Sequence, residues 1–415
     1  MSRSGAPRVP SDRAGTLRLG PRGGARSALR TATRTTQVQV GPYPSCPQDA
    51  TPSQGPTPSR ALAQRMLMPE RVMTAVPART LAIPRRVAVV LNRHARGVTE
   101  RQIERMTRLH PAADVYVSST LADSRLIARH LLERAYDVAL LGGGDGTFVR
   151  CLADLEAEAR RLRRPLPGLG VLRLGTGNAL GYYLGASEPS ESGLRADLQR
   201  ALDRHARWRP LSLLRVGGVL APFAGTGLDS QILEDYQATT RLLDRLGLGR
   251  VVSSPLRYAL AVALRSVPRF VLRRLPEVEV RNVGSPAYQI GPDGQPDPTP
   301  LPSGTVLYRG RCTLAGAATI PCYGFGVRIF PFADLRQDRF HLRCTDASAA
   351  ETLLHLPAVL RGSYRSPSIR DFLCDAVEIT VEHPVPMQIG GDLLPERHDR
   401  LRIDLAERPV HVLSA

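Results

Sequence analysis

The sequence predicts an α/β domain with a parallel sheet, followed by a mostly antiparallel β domain. Three observations support this fold class. Short continuous apolar runs alternate with helical patterns between residues 86 and 172, a glycine-rich turn at 142–147 joins one run to the next helix, and short alternating stretches begin near residue 210. Continuous runs are typical of strands buried on both faces, whereas alternation is typical of strands with one solvated face.

Strands and helices alternate in the first half of the chain. The predicted strands are 87–91, 115–117, 137–141 and 169–172, and the predicted helices are 99–109, 121–134 and 148–163. Such alternation implies right-handed crossovers onto one parallel sheet. We therefore expect an α/β domain over residues 84–208.

The second half contains short stretches that favour strands. They are 211–216, 278–280, 305–307, 323–330, 340–344 and 376–381. We expect an antiparallel β domain over residues 209–397, interrupted by a helical insert at 230–275. Residues 284–304 are rich in proline and glycine and are predicted to form a loop.

The chain is strongly basic, with a net charge of +18, and all 56 basic residues are arginine. The absence of lysine excludes a Walker A loop, the strand lysine of protein kinases and Schiff-base chemistry. A basic protein suits nucleotide phosphates and anionic membrane surfaces. Nucleic acid is not an expected partner, because no recognised binding module is present.

The first 80 residues hold twelve arginines against three acidic residues, a net charge of +9. They are rich in Pro, Gly, Ser and Thr and lack apolar periodicity, so we expect a disordered tail. Two alternatives stay open. The true start could be Met66, Met68 or Met73, or the segment could be a transit peptide, since it is rich in arginine and poor in acid.

The six cysteines form no CxxC pair and no cluster with zinc-finger spacing. We expect reduced, mostly buried thiols in a cytoplasmic protein. No apolar run approaches the roughly eighteen residues of a spanning helix. The N-terminus lacks the apolar segment of a secretory signal.

The glycine-rich turn Gly142-Gly-Gly-Asp-Gly-Thr147 lies between the third predicted strand and its helix. Glycines allow close backbone approach, and the amides at a helix start attract anions. Thr147 is expected to cap the helix. Asp145 is unfavourable beside phosphates unless it binds Mg²⁺ or takes a proton, so the sequence favours phosphoryl transfer. The alternative is a tight turn in which Asp145 is only a cap.

A second turn, Leu174-Gly-Thr-Gly-Asn-Ala-Leu-Gly181, follows the fourth predicted strand. It is not a dinucleotide fingerprint, because Leu180 stands where the third glycine is needed. Thr176 and Asn178 are expected to offer hydrogen-bonding groups to a ligand.

Residues 255–275 form a basic, apolar segment within the predicted insert. Arg257, Arg265, Arg269 and Arg273 would line one helical stripe, and Pro268 should end or kink the helix. Such a helix can rest on an anionic bilayer. Packing on its own domain, with solvated arginines, is the open alternative.

Together these features resemble the diacylglycerol kinase catalytic family, which includes sphingosine kinases and bacterial lipid kinases. The matching pieces are Asn92, Gly143–Thr147, Leu174–Asn178, Phe223–Asp229, Tyr323–Gly326 and Pro331. The resemblance extends from about residue 85 to about residue 410. NAD kinases share the glycine loop alone, whereas the combination and order of the pieces are more specific.

The resemblance implies an ATP-dependent phosphotransferase with Mg²⁺ and a diacylglycerol- or sphingoid-like alcohol acceptor. It implies a nucleotide cleft between the α/β domain and a β-sandwich, with a final segment, 398–415, that returns to the first domain. The residues it places at ATP are Asn92, one of Ser118, Ser119 and Thr120, Gly142, Gly143, Gly144, Gly146, Thr147, Gly175, Thr176 and Asn178. Asp145 matches the family's loop aspartate, a candidate base and metal partner, and Asp229 matches a position near the lipid hydroxyl.

The sequence departs from the family at the end of the catalytic region. Where the family has Asp-Gly-Glu, this chain has Gly390-Gly391-Asp392. Either Asp392 or Asp145 would then supply the working carboxylate. An NAD kinase and a nucleotide- or lipid-binding protein without activity are the alternatives.

Further expectations concern cations, charge and location. The resemblance implies a cation beside the β domain at Asp334 and Asp338, although Arg339 replaces the family's glycine there. A solvated acidic turn is the open alternative. Arg173 or Arg328 is expected to neutralise charge in the transition state. A peripheral position at the inner face of the membrane and a homodimer complete the expectations.

Overall fold

The computed structural model describes residues 85–109, 113–248, 251–272 and 275–415. The expectations for residues 1–80, with Cys46 and the three alternative starts, and for Arg273 lie outside these ranges. The predicted fold class is confirmed, with a mostly parallel sheet first and antiparallel sheets after it.

The first sheet has the strand order β2-β1-β3-β4-β19-β5. Its strands are β1 (Val87–Asn92), β2 (Ala113–Ser118), β3 (Val138–Gly143), β4 (Gly168–Arg173), β5 (Trp208–Leu211) and β19 (Val410–Leu413). All neighbours pair in parallel except β19 and β5. Every residue of β3 is buried, as the continuous apolar run predicts.

Helices accompany this sheet. They are α1 (Glu100–Leu109), α2 (Leu121–Glu133), α3 (Asp145–Leu162), α4 (Ala179–Leu184) and α5 (Glu191–Leu202). Phe148, Leu152 and Leu155 bury one side of α3 against the sheet. Sheet and helices together bring the strand ends that matter for ligand binding to one edge.

Two antiparallel sheets form the second part. One has the order β10-β14-β13-β12-β8-β16-β17 and the other β11-β9-β15-β18-β6-β7. The strands are β6 (Leu214–Val216), β7 (Val219–Ala221), β8 (Phe223–Gly227), β9 (Glu277–Asn282), β10 (Tyr288–Gln289), β11 (Val306–Arg311), β12 (Leu314–Ala318), β13 (Phe340–Thr345), β14 (Ile369–Cys374), β15 (Ala376–Val385), β16 (Met387–Ile389), β17 (Asp392–Leu393) and β18 (His398–Leu405). Phe340 and Leu342 of one sheet share a core with Val280 and Ile379 of the other, which is a sandwich.

Two helical segments flank the sandwich. The first contains α6 (Leu228–Arg245), α7 (Ser254–Ala261), a π-helical turn (Val262–Ser266) and α8 (Val267–Leu272), and the second contains α9 (Ala349–Leu354) and α10 (Leu356–Arg361). Pro268 does not end the helix. Its missing N–H and bulky ring disturb the preceding hydrogen bonds, which explains the π turn directly before α8.

The predicted arginine stripe of the insert is wrong. Arg257 is only 6% exposed and donates from Nε to the Val252 carbonyl at 3.0 Å. Arg269 pairs with the buried Asp235. The stripe fails because spacing alone does not reveal which acidic partners a helix meets in the folded chain.

The predicted strand 323–330 is also wrong. A 3₁₀ turn, Gly324–Gly326, occupies its first part, and Phe325 has a φ of 61°. Two glycines within three residues permit this turn where a strand would need an extended backbone.

The final segment divides between the two parts of the chain. β18 lies in the second antiparallel sheet, and only β19 joins the parallel sheet. None of the helices in the described residues is both long and apolar enough to cross a membrane.

Candidate functional site

A cavity of about 690 Å³ lies at the carboxyl ends of β1 to β4, where open α/β sheets bind their ligands. Ten of the residues that the sequence singles out line it: Asn92, Ser118, Ser119, Thr120, Gly144, Gly146, Thr147, Gly175, Thr176 and Asp392. Loops distant in sequence therefore meet at one site.

The start of α3 forms the floor of this cavity. Its first helical hydrogen bond runs from Phe148 N–H to the Gly144 carbonyl at 3.1 Å, so the amides before Phe148 have no bond within the helix. Those amides and the helix dipole favour an anion. Gly144, not Thr147, is the N-cap, and no side chain caps this end.

Asn92 and Thr147 hold two walls of the cavity together. Asn92 Nδ2 donates to Thr147 Oγ1 at 3.0 Å, and Asn92 Oδ1 accepts from the His94 amide at 3.0 Å. Thr120 caps α2 by accepting from the Asp123 amide at 3.1 Å. Asn92 and Thr120 thus each fix the backbone around the cavity as well as lining it.

Asp145 joins the two glycine turns. Its Oδ2 accepts from the Ala179 amide and its Oδ1 from the Leu180 amide, both at 2.9 Å. It thereby satisfies the amides at the start of α4, because the N-cap of that helix, Asn178, makes no side-chain cap bond. Asn178 instead bonds the backbone of Gly175 in both directions at 2.9 Å.

Three expected nucleotide contacts, and Asp145 as the expected base and metal partner, therefore lie behind the cavity wall. Asp145 and Asn178 hold the turns from inside, and Gly142 and Gly143 belong to the buried end of β3. None of the four lines the cavity. A side chain at Gly143 would meet Thr147 Oγ1 at 2.3 Å, so this glycine serves close packing.

Asp392 faces the cavity from the β-sandwich. It follows Gly390 and Gly391, which have φ values of 60° and 88°, and of the described residues that line the cavity it alone carries a carboxylate. The residue as a whole is exposed, but its carboxyl lies against the backbone of Gly146. Loss of water there raises the pKa of Asp392, while Arg150 lowers it.

The two carboxylates influence each other. Burial raises the pKa of Asp145, the Leu180 and Ala179 amides lower it, and the nearby charge of Asp392 raises it further. Repulsion between like charges favours keeping one of the two protonated or binding a cation between them.

Positive charge at the cavity comes from arginines that no motif identifies. Arg96, in the loop after β1, and Arg150, on α3, line it together with His94. The basic loop 92–97 is the signal that could have suggested the first of them. Arg173 and Arg328 do not line it, and the Arg173 guanidinium instead lies over the Tyr182 ring at 3.9 Å.

A buried polar cluster lies on the sandwich side, around Asp229. Tyr323 donates to Asp229 Oδ2 at 3.0 Å, and so does Gln388 Nε2 at 3.0 Å. Burial raises the pKa of Asp229, whereas the Ser230 amide, Gln388 and Tyr323 lower it. Asp229 therefore has oriented donors around it inside a largely dry site.

Gln388 connects this cluster to the turn that carries Asp392. It is 1% exposed, and its Oε1 accepts from the Gly391 amide at 2.9 Å. Motif matching missed it, although a glutamine between Met387 and Ile389 in an apolar strand is a detectable signal.

We expect Gln388→Met to lower the free energy of unfolding by about 1–3 kcal/mol, because it leaves the Gly391 amide without its acceptor and removes one of the donors to the Asp229 carboxylate. Gln337→Met, at an exposed glutamine, is the matched control and should change it little. Denaturant unfolding measures both. Equal stability of the two variants would contradict the bridging role of Gln388.

The expected cation site beside the sandwich is occupied by arginines. Asp338 accepts from Arg336 and Arg339, and Arg336 lowers the pKa of its carboxyl. Asp334 is exposed. Across the ranges that the structure covers, no group of three or more His, Cys, Asp or Glu side chains is arranged to hold a metal.

The five cysteines described are free and buried.

Comparisons with known proteins bear on the first domain. Residues 86–209 match the model of the diacylglycerol kinase catalytic domain, so the resemblance seen in the sequence is confirmed there. No curated protein matches the chain.

Solved structures show the same fold. Two structures of a candidate diacylglycerol kinase from Bacillus anthracis str. Sterne are 14% and 13% identical to this chain, with TM-scores of 0.54 and 0.52, and each alignment covers 80% of this chain and 98% of the other. A structure of a diacylglycerol kinase from the same organism is 14% identical with a TM-score of 0.50, over 80% of this chain and 97% of the other. At these identities the likeness concerns the fold alone.

Proposed function

Because residues 86–209 match the model of the diacylglycerol kinase catalytic domain, we propose that the protein transfers the γ-phosphoryl group of ATP to the hydroxyl of a diacylglycerol- or sphingoid-like lipid. The observation that carries this proposal is a nucleotide-sized cavity with a helix start as its floor and one carboxylate at its rim.

The cavity residues fit a triphosphate. The free amides at the start of α3 favour phosphate oxygens, and Arg96 and Arg150 add positive charge from two sides. Phosphoryl transfer depends chiefly on positioning and charge neutralisation. The absence of lysine is therefore no obstacle, since backbone amides and arginines can do this work.

Asp392 is the residue that fits a magnesium ion. Mg²⁺ in such sites is held by one or two carboxylates together with substrate phosphates, and Asp392 stands at the cavity whereas both oxygens of Asp145 already accept amides. When bound, the ion would neutralise charge on the phosphates. Asp145 fixes the two turns that surround them.

We assign the acceptor hydroxyl to the region between Asp392 and the buried cluster around Asp229. Gln388 links the turn before Asp392 to Asp229. A raised pKa suits Asp392 to accept the hydroxyl proton, since an acceptor works best when its pKa approaches the working pH. Asp229 and Tyr323 orient the lipid head from the sandwich.

The proposal is tested by incubating the purified full chain with γ-labelled ATP and one acceptor at a time: diacylglycerol, sphingosine or NAD. Label in a lipid product supports the proposal. Label in NAD alone would support an NAD kinase instead. Nucleotide binding without any labelled product would support a protein without activity.

We expect Gly146→Ala to lower activity about tenfold or more, because misplacing a catalytic group by 1 Å costs about 100-fold in strong cases. The added methyl would lie 2.5 Å from Asp392 Oδ2, so the carboxylate must move. The control is the same change in a chain that already carries Asp392→Asn. An equal loss in both backgrounds would contradict an effect through Asp392.

A further inference from the structure

Exposed large apolar side chains concentrate in two helical segments of the described chain. Of 17 such side chains, eight lie within residues 242–272 and four within 353–360. The most exposed are Leu272 at 83%, Val251 at 80%, Leu354 at 77% and Leu264 at 71%. Single exposed leucines are ordinary, but a concentration of this kind marks an interaction surface. We call these twelve residues the apolar helical surface.

The two segments adjoin each other and the proposed acceptor site. α8 contacts α9. The Tyr258 ring of the first segment meets the Phe325 ring edge-on with centroids 5.6 Å apart, and the Leu360 carbonyl of the second accepts from the Arg328 amide at 2.8 Å. Both segments therefore flank the loop 323–328, whose Tyr323 donates to Asp229.

The charges without partners on these segments are positive. Arg241, Arg245, Arg265 and Arg361 form no ion pair with any residue that the structure describes. The acidic residues beside them are compensated. Glu234 and Asp235 pair with Arg269, Asp244 pairs with Arg257, and Glu351 accepts from Ser366 and Tyr364.

We propose that the apolar helical surface docks on an anionic lipid bilayer and presents the loop 323–328 to it. This inference rests on the proposed function, since a lipid acceptor must reach Asp229 from a membrane. Apolar side chains beside unpaired arginines match an anionic lipid interface. A second copy of the chain fits less well, because its own unpaired arginines would face these.

Insertion is tested with Leu354→Trp, using vesicles of phosphatidylglycerol and phosphatidylcholine that contain brominated chains. The surface predicts strong quenching of the new tryptophan. Leu126→Trp, at a leucine on α2 that is also largely exposed (64%), is the control and should be quenched little. The native Trp208 contributes the same fluorescence to both variants, and any vesicle binding by the first 80 residues is also the same in both. Bound protein with equal quenching in the two variants, or no binding at all, would overturn the proposal.

The arginines are tested by vesicle co-sedimentation of the full chain. Arg241→Gln and Arg245→Gln should each weaken partitioning about fivefold, the effect of one basic residue near an anionic surface. Arg101→Gln, at an exposed arginine on α1, should have little effect. Vesicle binding needs neither ATP nor turnover, so it separates failure of this surface from failure of the kinase proposal. A change in oligomeric state without a change in vesicle binding would instead identify a dimer interface.

Discussion

Asp392→Asn should lower kcat about 100- to 10,000-fold, the range expected for loss of a positioned proton acceptor. The structure gives the reason, since Asp392 is the one carboxylate among the described cavity-lining residues and the family's other acidic position in this turn is Gly390 here. Nucleotide affinity should change much less, because the amides of α3 and the arginines remain. Measured steady-state kinetics with labelled ATP, beside a nucleotide-binding titration, separate the two effects.

Asp392→Glu is the matched variant, because it restores the residue that the family carries. It should retain substantial activity, since the carboxylate persists on a side chain one methylene longer. The pH profile adds a second readout. Asp392 accepts a proton only when ionised, and burial raises its pKa, so with Mg²⁺ limiting, activity should fall on acidification at a higher pH than for an ordinary aspartate. Saturating Mg²⁺ at the same carboxylate should move that fall to lower pH. Full activity of Asp392→Asn, with an unaltered acidic limb, would remove Asp392 from the mechanism.

Asp145→Ala should cost about 2–4 kcal/mol of unfolding free energy and most of the nucleotide affinity, because it leaves two amides at α4 without an acceptor and frees the turns from each other. If Asp145 were a catalytic base, as the sequence suggests, Asp145→Asn would abolish turnover and leave ATP bound. Because the Asp145 carboxylate bonds the Ala179 and Leu180 amides, we instead expect substitutions of Asp145 to weaken nucleotide binding. Thermal unfolding and nucleotide titration measure both quantities.

Asp197→Asn provides a control for buried carboxylates in general. Asp197 is 2% exposed and accepts from the Ser187 amide and hydroxyl, but it does not line the cavity. This variant should lose stability and keep nucleotide affinity. If Asp145→Ala behaved in the same way, Asp145 would be a structural residue only. If it kept its stability and nucleotide affinity but lost turnover, the catalytic interpretation from the sequence would be favoured.

The parallel sheet could be predicted because its first strands contain short continuous apolar runs, which are typical of strands buried on both faces. The glycine turns could be located for a similar reason, since only glycine permits the close contacts around Gly143 and Gly175. The position of the cavity could be predicted as well, because the carboxyl ends of parallel strands lie at one edge of the sheet.

The role of Asp145 could not be predicted, because its partners stand 34 and 35 positions away. A carboxylate beside glycines has the same sequence whether it faces a ligand or caps a second helix. The predicted arginine stripe of the insert was wrong for the same reason, because Arg269 pairs with Asp235 only in the folded chain. Long-range polar partners are set by tertiary packing, which a local pattern does not encode.

Short elements are a second feature that the sequence did not predict, among them the turn in the loop 323–328 and helices α9 and α10. Short helices depend on tertiary contacts more than on propensity, so six-residue helices such as α9 leave little trace in the sequence. Helices α9 and α10 contribute four of the twelve residues of the apolar helical surface.

The most direct measurement is a crystal structure of the full chain with a non-hydrolysable ATP analogue and Mg²⁺. The account predicts phosphate oxygens within hydrogen-bond distance of the amides at the start of α3, with the terminal phosphate at Asp392. A nucleotide bound elsewhere, or an empty cavity at saturating analogue, would contradict it.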